Sequence, residues 1–190
     1  MLKVSSSTEP SKIERFCCSD AKGKGFDLKY YSPGNHFAVF NIKGIRCGAL
    51  ICHDYRYPEL YREYKRQGVR LMFHSFHMGN MTRAQWRECQ AMYEVTVPAA
   101  MSTYAACNHV WISVNNTCRR ESCVPAFFVM PDGLVAGRLR RNQAGVLLST
   151  VDERATFGDA SVAWRQRCMG GVYHSGRVVA DRRSVVRSAL

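Results

Sequence analysis

Residues 45–60 read IRCGALICHDYRYPEL, and the fold turns on how this stretch divides. Ile45 to Ile51 is short and apolar and is entered through Lys43-Gly44, the pattern of a buried strand rather than a helix. Cys52 stands at its exit. Pro58 suits the first turn of a helix, Leu60, Tyr61 and Tyr64 give that helix an apolar stripe, and Gly68 supplies its stop. The order is strand, cysteine, short loop, helix. A thiol at the end of a buried strand and close to a helix N-terminus can lose its proton readily, and the thiolate is the attacking species. Cys52 is therefore a candidate nucleophile, weighed against being one more small core residue in a chain with nine cysteines.

His36 to Ile42 and Ile45 to Ile51 are two β-rich runs separated by Lys43-Gly44, which predicts a hairpin. After the helix from Pro58 to Gln67, Arg70 to Phe76 reads as a buried strand, and a strand-helix-strand unit favours parallel neighbours. Residues 83–107 are helical in pattern, with Trp86, Cys89, Met92, Tyr93 and Val97 near one face. Pro98 makes them two helices or one kinked helix. Val110–Val114, Ala126–Met130, Leu134–Leu139 and Val146–Val151 read as four further strands, the middle pair joined at Pro131-Asp132-Gly133. Residues 1–12 form a polar lead-in, one domain occupies 13–176, and 177–190 are a basic tail.

The chain's 190 residues, 46% of them hydrophobic, suit a single globular domain. No run approaches a membrane span, and residues 1–20 lack the apolar core of a secretion signal, so a cytoplasmic location is expected and no membrane partner. The odd cysteine count in a chain of this size favours reduced thiols. The net charge of +12 favours acidic partners or anionic substrates. Without a reader motif or basic residues interleaved with aromatics, nucleic acid is not expected among the partners.

CHDYRYPEL resembles the nucleophile motif of the nitrilase superfamily, the carbon-nitrogen hydrolases, with Cys52, Asp54, Arg56, Tyr57, Pro58 and Glu59 all fitting. Upstream, DLKYYSPGNHFAVF matches the segment before the family's nucleophile hairpin at Tyr31, Pro33, Gly34 and Phe40. Downstream, AACNHVWISVNN (Ala105 to Asn116) and MPDGLVAG resemble the family's next helix-strand pair and its Pro-Asp-Gly hairpin. The resemblance runs from about Phe16 to about Val151. It implies an α/β fold, a four-layer α-β-β-α sandwich lacking its N-terminal strands and helix. It also implies hydrolysis of an amide or nitrile-type C–N bond in a small molecule, and assembly as a homo-oligomer.

By the same resemblance, a cysteine nucleophile works with a glutamate base and a lysine that stabilises the tetrahedral intermediate. Glu14 in IERFCC stands in the lysine's place, with Lys12 and Lys22 nearby. Asp27 stands where the family has a second carboxylate, so it is a catalytic candidate beside Cys52, or else a residue of a local turn. The family's glutamate comes from a region before Met1, so the chain reads as an N-terminally truncated member with impaired catalysis. The alternative is a non-catalytic nitrilase-like subunit.

Arg56 is the candidate for holding an anionic group of the substrate, against a salt bridge with Glu59 or Asp54. His53 is a second substrate-binding candidate. As a neighbour on an extended segment it faces away from Cys52 and is not expected to take the thiol's proton. His74 and His77, and Cys118 and Cys123, lack zinc-site spacing, so neither a metal nor a cofactor is expected.

Overall fold

Lys43 and Gly44 adopt φ of 49° and 86°. Positive φ at both central residues gives a two-residue turn whose twist matches that of the strands it joins. The turn closes an antiparallel hairpin of β1 (Val39–Ile42) and β2 (Ile45–Ile51), with Ile42 opposite Ile45 and Val39 opposite Gly48. In the computed structural model, which describes residues 36–159 and 161–172, β2 is followed by a 3-10 turn at Cys52–Arg56 and by helix α1, Pro58–Arg66. Gly68, at φ 79°, ends the helix by letting the chain reverse into β3 (Leu71–Ser75).

Helix α2 (Arg83–Asn108) leads to β4 (Trp111–Asn115), and β5 (Phe127–Val129) and β6 (Val135–Arg138) complete a six-stranded sheet ordered β1-β2-β3-β4-β5-β6. The β2–β3 and β3–β4 pairs are parallel and the others antiparallel. The chain is thus α/β, as expected. The register aligns Ile51 with Ser75 and Ser75 with Asn115, so the three parallel strands end level. Residues 160–190 separate as a second unit, whose described part contains helix α3, Val162–Met169. Among the described residues no helix is long and apolar enough to cross a membrane.

Side chains alternate across the pleat. Leu50, Met72, Ile112, Val114, Phe127 and Val129 face Tyr61 and Tyr64 of α1 and Val97, Met101 and Ala105 of α2 in the main core. Cys47, Leu71, Trp111 and Phe128 face the other way, where Leu147, Val151 and Phe157 pack on them. α1 lies close on β2. A Cβ added at Gly48 would stand 2.5 Å from Tyr64 Cδ1, and the Tyr64 hydroxyl donates to Ala49 O at 2.6 Å. Gly48→Ala is therefore expected to cost about 1–3 kcal/mol by overpacking. Gly158→Ala, where a Cβ would meet nothing within 4 Å, should leave the urea midpoint in place.

Two expectations need correction. Val146–Val151 is not a strand. Val146 and Leu148 are 83% and 89% exposed, while Leu147 and Val151 peg the segment onto the second face of the sheet and Leu147 rests against Gly137. A short apolar run reports that part of an extended segment is covered, and a strap pegged through Leu147 and Val151 meets that need without a ladder of hydrogen bonds. Residues 83–107 belong to a single helix that runs through Pro98, which agrees with the one-helix alternative, while the place of Met92 on it does not follow the expectation. It opens on a Thr82–Gln85 capping box and ends on His109 at φ 51°. Its fully buried positions, Val97, Met101, Ala105 and Asn108, all lie in its C-terminal half. Met92, placed on the apolar face from the sequence, is 42% exposed.

Candidate active site

β2 ends on extended backbone at Ile51 (φ −129°, ψ 126°), and the next residue, Cys52, has φ 46°. A left-handed φ is uncommon outside glycine and costs on the order of 1–3 kcal/mol, so the surroundings must hold it. Asp54 contributes from below. It is fully buried, and its Oδ2 accepts from Ile51 N at 2.9 Å. Tyr57 N then donates to Asp54 O at 3.1 Å, and Pro58 opens α1. The chain thus passes from strand to helix through a sharp elbow whose apex is Cys52, at the level C-terminal edge of the parallel strands. Clefts at that edge are where open α/β sheets take ligands.

His74 supports the elbow from β3. Its Nε2 is 3.1 Å from Cys52 O, its Nδ1 is 2.5 Å from the Tyr61 hydroxyl, and its ring stacks on Phe76 at 4.3 Å between centroids. It is fully buried, and burial pulls its pKa down to about 4, so the ring is neutral. A carbonyl can only accept, which puts the proton on Nε2 and leaves Nδ1 to accept from Tyr61. Spacing in the sequence offers His74 only as an unconvincing metal ligand. The available signal for this contact is a lone polar residue at a core-facing position between Met72 and Phe76.

The remaining candidates sit in different settings. His53 is half-buried, with Tyr57 Oη 3.4 Å from its Nε2, and burial together with the neighbouring Arg56 charge lowers its pKa. It rides on a 3-10 turn, so the argument that successive residues of an extended segment face opposite ways does not apply to it. Arg56 makes neither of the salt bridges weighed from the sequence. Its guanidinium lies over the rings of Tyr55 at 5.2 Å and Tyr93 at 5.9 Å. Burial raises the Tyr93 phenol, and Arg56 partly offsets the rise. Asp27 lies outside the described residues, as do Glu14, Lys12 and Lys22.

Asn116, just past β4, ties down the loops at the same edge of the sheet. Its Oδ1 accepts from Met78 N at 2.8 Å, and its Nδ2 donates to Val124 O at 2.7 Å and to Ser122 Oγ at 3.1 Å. A cavity of about 570 Å³ opens on the second face of the sheet, lined by Phe73, Ser113, Phe128, Arg141 and Leu147 among others, but not by Cys52, His53 or Arg56. The arrangement at Cys52 suits a thiol nucleophile on a fixed backbone, with a planar cation four residues away that can grip a carboxylate or amide oxygen.

The family model described as carbon-nitrogen hydrolase matches residues 8–157, a wider span than the motifs alone suggested and one that contains Glu14, Asp27, Cys52, His53 and Arg56. No curated protein matches the chain. Among solved structures, Nit3 of Saccharomyces cerevisiae, a member of branch 10 of the nitrilase superfamily, is 19% identical with a TM-score of 0.49. That match covers 58% of this chain and 39% of that one. An amidase from Nesterenkonia sp. is 19% identical with a TM-score of 0.46, covering 65% of this chain and 43% of that one. The match therefore spans about two-fifths of the length of these structures.

Proposed function

The chain belongs to the carbon-nitrogen hydrolase family, and from that premise we propose that it cleaves the C–N bond of a small amide through Cys52. The Cys52 thiolate adds to the carbonyl carbon, the tetrahedral adduct expels ammonia or an amine as its nitrogen gains a proton, and water releases the acid from the thioester. A nitrile enters the same route when the thiolate adds to its carbon as the nitrogen gains a proton, and water then adds to the resulting thioimidate to give the tetrahedral adduct that loses ammonia. Arg56 and His53 contact the substrate, and Asp27 is a further catalytic candidate. The observation that carries the reading is the left-handed Cys52 at the end of β2, within CHDYRYPEL.

Glu14, in the position of the family's lysine, favours slow turnover, because a carboxylate beside a developing oxyanion repels charge that a lysine would attract. It is also the observation behind a second reading, a non-catalytic nitrilase-like subunit. A reduced thiol suits the cytoplasm, and cell fractionation checks that location. The homo-oligomer is proposed on the second face of the sheet, where Phe40, Ile42 and Ile51 are 36%, 43% and 49% exposed. Light scattering on the purified chain is expected to give a mass above 21.6 kDa.

Limiting iodoacetamide followed by peptide mapping tests the nucleophile. Cys52 is expected to be labelled ahead of the exposed Cys107 and Cys118. Cys47 and Cys123 are buried, with burial raising both thiols and carrying Cys123 to about 12, so they should react last. Labelling of Cys107 or Cys118 well before Cys52 would count against the nucleophile.

A further inference from the structure

We propose that the buried Tyr61–His74 pair is a positioning device for Cys52, holding the Cys52 carbonyl through His74 Nε2–H and so locking the left-handed elbow that presents the thiol. The inference rests on Cys52 being the nucleophile, and it adds two residues to that site that act on its backbone.

The carbonyl and side chain of a residue share one Cα, so fixing the carbonyl's direction limits the φ/ψ well and with it the direction of Sγ. Cys52 occupies a well that is costly for a residue with a Cβ, at φ 46°. The hydrogen bond that pins its carbonyl comes from a side chain that is itself immobilised on several sides. His74 lies between Leu50 and Val114 in the sheet, stacks on Phe76, and receives the Tyr61 hydroxyl at Nδ1. Tyr61 is 1% exposed, is held on α1, and has Met101 Sδ at 3.4 Å from its hydroxyl.

The Tyr61 contact also decides the tautomer. With Nδ1 occupied as an acceptor, the neutral ring must carry its proton on Nε2, toward Cys52 O. Two polar side chains in a core carry a desolvation cost that leucine and phenylalanine would not, and a fully satisfied network is the form in which such groups are tolerated. Here the network ends on the backbone of the residue whose geometry matters for attack. A nucleophile misplaced by about 1 Å can lose about 10²-fold in rate, which sets the scale of what the pair protects.

The experiment follows acylation of Cys52 by p-nitrophenyl acetate as the release of p-nitrophenolate, subtracting the trace of Cys52→Ala, alongside a thermal melt of each variant. His74→Phe keeps a flat ring and removes the donor. His74→Gln can return an N–H to the same carbonyl. Tyr61→Phe removes the hydroxyl alone. The Cys52-dependent rate is expected to fall at least about 10-fold in His74→Phe, the size of one lost hydrogen bond, to fall about 3-fold in Tyr61→Phe, and to recover to within about 3-fold of the native value in His74→Gln. If the native protein shows no Cys52-dependent release, the nucleophile reading fails and the pair has nothing to position. If release is present but unchanged in His74→Phe, the positioning role is overturned. Equal losses in His74→Phe and His74→Gln overturn it as well, since only a general packing role would then explain both. Should His74→Phe not fold, a native rate in Tyr61→Phe together with a deep loss in His74→Gln has the same force.

Discussion

Exchange of Cys52 for alanine is expected to lower amide-dependent ammonia release by at least about 10³-fold, because nothing else at the elbow supplies a covalent nucleophile and loss of one from a concerted site is rarely compensated. The fold should survive the change. Cys52 is only half-buried at the edge of the main core, so the melting temperature should move by no more than a few degrees. Exchange of the exposed Cys107 should leave the rate alone. A companion change should have the opposite sign. Glu14→Lys puts a cation where the resemblance places the family's lysine, and an oxyanion donor is typically worth about 10²–10³-fold, so ammonia release should rise toward that factor in this variant. Steady-state assays over a panel of small amides and nitriles decide both points. Ammonia release unaffected by Cys52→Ala would remove the thiol from the mechanism. A chain that is inert both in its native form and after Glu14→Lys would favour the non-catalytic subunit.

The second large effect lies in stability. His74 titrates near 4 in the folded chain, against about 6.5 when exposed. Between those values the unfolded chain binds a proton that the native one refuses, so stability is complete above about pH 6.5 and falls as the pH drops toward 4. The shift corresponds to a loss on the order of 3 kcal/mol across that window, a large fraction of a domain's net stability. His53 is lowered as well and adds to the fall in the same sense. Urea unfolding of the native chain and of His74→Gln at pH 7.5 and pH 4.5 isolates the His74 share, because His53 and the carboxylates titrate in both. The native chain should lose about 3 kcal/mol more than the variant between the two pH values. Parallel slopes would mean that His74 is solvated or charged in the folded state.

The hairpin, the strand-helix-strand unit and the seat of Cys52 were legible because their signals are local. Lys43-Gly44 fixes a turn, Pro58 starts a helix, Gly68 ends it, and the apolar run before Cys52 leaves no other place for the cysteine. What was not legible depends on partners distant in sequence. His74 looks like any strand histidine until Tyr61 and the Cys52 carbonyl are brought to either side of it. Arg56 carries charge that suggests carboxylate partners, yet α2 delivers Tyr93 to it and the 3-10 turn delivers Tyr55. Val146–Val151 has the short apolar run of a strand, but such a run does not say whether the segment joins a ladder or lies across the sheet as a strap.

The serial order of the sheet bears on how the chain is built in time. Each strand pairs with the one made just before it, and the longest wait is that of β3 for β4, which follows the whole of α2. The bond from His74 to Cys52 spans 22 residues, and that from Tyr61 to His74 spans 13. A growing polypeptide that has released β3 from the ribosome already carries Cys52, Tyr61 and His74 outside it, before α2 has emerged to pack on them. Cys52 can thus be set in its backbone conformation early, on a timescale governed by local closure rather than by completion of the sheet.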